Sequence, residues 1–60
     1  MIKIDDIVLV SDLNGKKYKG RVVSINEFRE PSMRYGIDVD GFNDVIFIGE
    51  KFIEEVTNEN

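Results

Sequence analysis

Three serines, Ser11, Ser24 and Ser32, and twelve carboxylates are the groups in this 60-residue sequence that could act as nucleophile, acid or base. Histidine and cysteine are absent. That removes imidazole acid/base catalysis, thiolate nucleophiles, disulfide scaffolding and the common zinc and iron-sulfur ligand sets. A serine paired with Lys or Asp would need an activating base in a buried cleft, and a domain this small is expected to lack room for a pocket of about 300 Å³. Asp38-Val39-Asp40-Gly41-Phe42-Asn43-Asp44 carries alternating oxygen ligands, as a calcium loop does. Its spacing is wrong, however: Phe42 stands at the fifth position, the glycine comes too early, and Gly49 replaces the bidentate Glu at the twelfth. The segment reads better as a hairpin turn. The sequence therefore predicts a non-enzymatic protein with no cofactor and no metal.

What remains is recognition, by aromatic rings and by charge. Residues 1 to 13 sum to −2, residues 14 to 34 to +4 and residues 35 to 60 to −6, giving the net −4. Lys16, Lys17, Lys19 and Arg21 form a basic edge that could approach phosphates. Against this, the chain is acidic, with a pI near 4.6, and nucleic-acid binding normally wants a basic domain with stacking aromatics. Lysines on an edge strand also serve to block edge-to-edge pairing. Asp38, Asp40, Asp44, Glu50, Glu54 and Glu55 could form a negative face that steers a basic partner, as a small phage-type inhibitor of a nucleic-acid-binding protein would use. The plainer reading is a solvated face that keeps a small domain soluble.

The elements that must position these groups are strands. Among the apolar residues Ile and Val dominate, with four Phe and two Tyr, two Leu and no Ala, and β-branched and aromatic side chains suit a pleated, half-buried surface. Ile7 to Val10 is the first apolar segment, closed by the turn dipeptide Asn14-Gly15. Tyr18, Gly20 and Val22 set one parity in the second segment, and Val23 and Ile25 change it, which predicts a bulge. Asn26 to Arg34 reads as a polar loop around Pro31. Tyr35, Ile37 and Val39 alternate with Gly36, Asp38 and Asp40, so one face should be buried. Asp40-Gly41-Phe42-Asn43 makes the next turn, and Val45 to Ile48 is a continuous apolar run, as in a strand covered on both sides. Phe52, Ile53 and Val56 are spaced like one helical turn running into a last strand.

Five short strands with turns about every ten residues suit a small sandwich or barrel, and sixty residues cannot fill two full sheets. Closing one sheet on itself lets a single small core serve every strand. The sequence predicts one all-β domain over residues 1–57, with a frayed tail at 58–60. No apolar run is long enough for a signal peptide or a membrane span, so a soluble, cytoplasmic protein is expected, as monomer or homodimer.

Asp6-Ile7-Val8-Leu9-Val10, Asn14-Gly15, Tyr18-Lys19-Gly20-Arg21-Val22, Tyr35-Gly36-Ile37-Asp38-Val39, Asp40-Gly41-Phe42 and Phe52-Ile53-Glu54-Glu55-Val56 together resemble an SH3-like barrel of the Tudor and KOW kind. The resemblance implies a bent five-stranded barrel with Val8, Val10, Gly20, Val22, Ile37 and Val39 facing inward. It also implies a short 3₁₀ turn over Phe52 to Glu55, before the last strand. In Tudor domains an aromatic cage holds a methylated cation. Tyr18 and Phe42 match cage positions, while Asp12 and Val39 fall at the other two aromatic positions and Asp44 at the polar one. Half a cage leaves a shallow apolar and acidic mouth suited to a Lys or Arg side chain. Alternatively, Tyr18 caps the barrel and Phe42 folds over the core. Phe28 and Met33, apolar in a polar loop, either contact a partner or pack with Tyr35 in a satellite cluster. The expected function is a protein-interaction module, with Tyr18, Phe28, Met33, Tyr35 and Phe42 as the contact patch.

Overall fold

A computed structural model describes residues 2–57; the tail expected to fray at 58–60 lies outside the described residues. Five strands, β1 (Ile7–Ser11), β2 (Lys17–Ile25), β3 (Tyr35–Val39), β4 (Ile46–Ile48) and β5 (Ile53–Thr57), form one antiparallel sheet in the order β4-β3-β2-β1-β5. There is no α-helix among the described residues, only 3₁₀ turns at Pro31–Met33 and Glu50–Phe52.

Local chemistry explains the turns. Asp12 accepts the backbone N–H groups of Asn14 (2.8 Å) and Lys16 (2.9 Å) on one carboxylate oxygen, and Gly15 takes the left-handed φ of +82° that closes the β1–β2 hairpin. Gly41 does the same between β3 and β4 at φ +88°. The predicted parity change is a register shift in the β2–β3 ladder between Val22 and Ser24. Along the nine residues of β2, Lys17 to Arg21 pair with β1 and Gly20 to Ile25 with β3, so the two ladders overlap at Gly20 and Arg21. Where the two ladders overlap, a Cβ on Gly20 would stand 2.6 Å from Ile37 Cγ2 and 3.0 Å from the Asp38 carbonyl, so only glycine admits β3 this closely.

Val8, Val10, Val22, Ile37 and Val39 are the buried core, with Gly20 buried among them, the same inward set that the family resemblance implies. Tyr18, Ile25, Tyr35, Ile46, Ile48 and Ile53 pack around it, half-buried. An N-terminal hook seals one end: Asp5 donates its N–H to the Val22 carbonyl (2.8 Å) and Val22 donates to the Asp6 carbonyl (2.9 Å). The Asp6 carboxylate is buried and accepts the Lys3 N–H at 2.9 Å. Asp5 sits at φ +74°, an unusual conformation for a residue with a Cβ.

Three expectations need correction. Val45 to Ile48 is not covered on both sides: β4 spans only Ile46–Ile48, stands at the sheet edge, and leaves Val45 and Phe47 about two-fifths exposed. Its apolar run follows from lining two different surfaces, not from burial. The second 3₁₀ turn occupies Glu50–Phe52 and does not reach Glu55, because Ile53 already pairs with Val10 in the β5–β1 ladder. The loop from Asn26 to Arg34 is not wholly irregular: Pro31, with its fixed φ, starts the first 3₁₀ turn. Among the described residues β4 and β5 are the two free edges, and no ladder joins them.

Candidate functional site

An apolar groove among the described residues lies where the sheet is not joined. It has a volume of about 420 Å³ and is open along one side. From β1 and its hairpin come Val10, Ser11, Asp12 and Leu13; from β2, Tyr18; from the β3–β4 turn, Phe42; from β4, Ile46 and Ile48; and from the second 3₁₀ turn, Phe52. The expectation that this domain has no room for such a volume therefore fails. The space opens because, among the described residues, no ladder joins the two edge strands, β4 and β5.

Two of the predicted mouth residues meet directly. The Tyr18 and Phe42 rings pack edge to face with centroids 5.2 Å apart and planes inclined by 73°, a geometry that the ring quadrupoles favour. Asp12 spends one carboxylate oxygen on its own hairpin. The other accepts the Tyr18 hydroxyl at 3.5 Å. Lys16 places its ammonium 5.6 Å from the Tyr18 ring centroid, so the ring already attracts a cation of its own chain. Leu13 at the lip is 90% exposed. Val39, at a cage position by family resemblance, is in the core and supplies no wall. Asp44 is exposed and is not among the lining residues.

The other expected contact residues fall elsewhere. Tyr35 lines a separate groove of about 370 Å³ with Pro31, Arg34, Gly49 and Glu50. Burial pushes its hydroxyl pKa up, and the Glu50 carboxylate 3.5 Å away adds to the rise. Phe28 is fully exposed, at 101%, so it packs in no satellite cluster; Met33 is 41% exposed. Phe28 and Met33 line neither groove. Leu13, Ile46, Ile48 and Phe52 escaped notice as groove residues. The signal for Leu13 was an apolar side chain inside a turn, beside Asn14-Gly15.

Lys17, Lys19 and Arg21 do not lie on an edge strand. β2 is flanked by β1 and β3, so these lysines block no edge pairing. They project from the outer sheet face among carboxylates. One cross-strand row runs Asp38, Arg21, Ile7, Thr57, and the next runs Lys19, Leu9, Glu55. At the third, small Ser11 lies between Lys17 and Glu54, which form an ion pair at 2.8 Å. That hydrogen bond raises the Lys17 pKa, and together with one from Ser11 it lowers that of Glu54. Asp40 lines a shallow groove with Lys19, Arg21 and Asp38. The predicted basic edge and acidic face thus interleave on one surface, while Glu50 stands apart by Tyr35.

Among the described residues no three carboxylates converge as metal ligands, and no helix is long and apolar enough to cross a membrane. Comparison with family models, curated proteins and solved structures finds no match to this chain.

Proposed function

We propose that this chain is a non-catalytic protein-interaction module, an SH3-like barrel that takes a protein or peptide partner in the groove between the β1–β2 hairpin and β4. Strand order β5-β1-β2-β3-β4, a bulged central β2 and a 3₁₀ turn before the last strand all suit that barrel. The observation that carries the function is the edge-to-face Tyr18–Phe42 pair in an apolar groove whose Asp12 carboxylate accepts the Tyr18 hydroxyl at 3.5 Å. Such a surface offers a desolvated aromatic anchor site, and its carboxylate favours a basic residue beside the anchor.

Selection from a random linear peptide library tests this. Enriched peptides should carry an apolar or aromatic anchor next to Lys or Arg, and Phe42→Ala should weaken them about tenfold, or roughly 1.4 kcal/mol. Tyr18→Phe, which keeps the ring, should weaken them less. Full retention by Phe42→Ala would place binding outside the groove. The alternative partners fit less well. A nucleic acid approaching Lys16, Lys17, Lys19 and Arg21 would meet Asp38, Glu54 and Glu55 on the same face. An inhibitor acting through Asp38, Asp40, Glu54 and Glu55 would present those basic residues with them.

A further inference from the structure

The groove and the free edge of β4 adjoin. Ile46 and Ile48 point their side chains into the groove, and among the described residues Val45 to Ile48 make no backbone hydrogen bond other than the ladder to β3. Nothing in the side chains guards that edge: Val45-Ile46-Phe47-Ile48 contains no charge and no proline. Sheets that leave an edge open ordinarily protect it with charges, bulges or proline. This molecule does so at β5, where Glu54 and Glu55 follow one another and Glu54 is paired with Lys17.

We infer that β4 is a strand-addition site: an extended, apolar segment of the partner, flanked by basic residues, pairs with the β4 edge and sends alternate side chains into the groove beside Ile46 and Ile48. This rests on the groove being the binding site, and adds how the partner lies in it. Main-chain bonds would supply affinity and the groove would supply selectivity. The basic flanks follow from charge. Asp44 precedes β4 and Glu50 follows it, both exposed, and Asp12 stands in the groove. Three cations stand nearby as well, each over a ring and still charged, Arg29 over Phe47 at 4.7 Å, Lys16 over Tyr18 and Lys51 over Phe52; Asp44 and Glu50 are the charges flanking the strand itself. The same charges disfavour a second copy of the chain. Antiparallel pairing about Phe47 would set Asp44 of one copy opposite Glu50 of the other and bring both Arg29 side chains to one face. The accessible stretch ends at Ile48, because a Cβ on the buried Gly49 would lie 2.7 Å from the Pro31 carbonyl of the first 3₁₀ turn.

The probe is a blocked nonapeptide, Lys-Arg-Val-Thr-Val-Thr-Val-Arg-Lys, titrated into the isotopically labelled chain. Backbone amides of Val45 to Ile48 should shift and become protected from hydrogen exchange. Of two peptides N-methylated at alternate residues, one should lose binding and the other keep it. Reversing both flanks, Asp44→Lys with Glu50→Lys, should weaken the peptide about tenfold, and a peptide with Glu at its ends should recover the loss. Shifts confined to Tyr18 and Phe42, with no sensitivity to N-methylation, would overturn strand addition and leave the groove reading intact. Absence of binding by this peptide while library peptides still bind would overturn it too. So would concentration-dependent dimerisation with shifts at β4, which would assign the edge to a second copy.

Discussion

β4 and β5 end the same sheet, yet one edge is apolar on both faces and the other is charged. On β5 the side chains of Glu54, Glu55 and Thr57 stand in water, and Lys17 reaches across Ser11 to hold Glu54. On β4 the inner side chains Ile46 and Ile48 line a groove, while Phe47 and Val45 lie over Gly36, whose missing Cβ would be 3.1 Å from the Phe47 ring. Arg29 stacks on the outside of that ring. The contrast teaches that the two edges of this open sheet are not equivalent. One carries charge on its exposed side chains, and the other carries none and adjoins the groove of about 420 Å³.

The comparison breaks most readily at the end of β4. Gly49→Ala forces a Cβ against the Pro31 backbone and should destabilise the chain by about 1–3 kcal/mol in urea unfolding. Thr57→Ala, on exposed β5, should stay within about 0.5 kcal/mol. A neutral Gly49→Ala would mean that the first 3₁₀ turn does not hold β4 in place. Next in size is the exchange of edge characters. Phe47→Lys should leave scattering at high concentration as low as the parent's, and Glu55→Val should raise self-association severalfold, measured by light scattering. Equal scattering from both variants and the parent would show that charge is not what separates the edges.

The smallest effect is the exposed Lys17–Glu54 pair, screened by solvent and salt. Because the Glu54 pKa is lowered in the fold, its contribution is present above the ordinary carboxylate range and fades as pH falls through the lowered value. Because the Lys17 pKa is raised, its contribution is complete below the ordinary lysine value of 10.5 and is lost as pH rises through the higher folded value. The Tm difference between the parent and Lys17→Ala should therefore be level across neutral pH and shrink at both extremes. A difference constant into acid would remove Glu54 as the partner.

Much of this fold was legible in short-range pattern. Asn14-Gly15 and Asp40-Gly41 announce their turns because few other dipeptides tolerate positive φ, and the parity change after Val22 announces the bulge because side chains alternate strictly along a strand. The site was only half legible. Tyr18 and Phe42 do meet, but Phe28 and Tyr35 are carried away from them by the loop and by the far end of β3. Asp6, an ordinary-looking acid beside Asp5, turns out to be buried, because its carboxylate caps the backbone of the N-terminal hook.

Edge and centre are what the sequence pattern reverses, for a physical reason. The apolar run Val45 to Ile48 resembles a buried strand, and the lysines of β2 resemble an edge strand's guard. Burial of a strand, though, depends on what lies beside it, and sequence alternation reports only which way each side chain points. What the sequence by itself determined is therefore the set of strands, their turns and the five-residue core, all governed by backbone sterics and by alternation over neighbouring residues. Only the tertiary structure decided the order β4-β3-β2-β1-β5, the lack, among the described residues, of a ladder between the edges β4 and β5, and hence the groove. Those depend on contacts between segments remote in the chain, which no local pattern encodes.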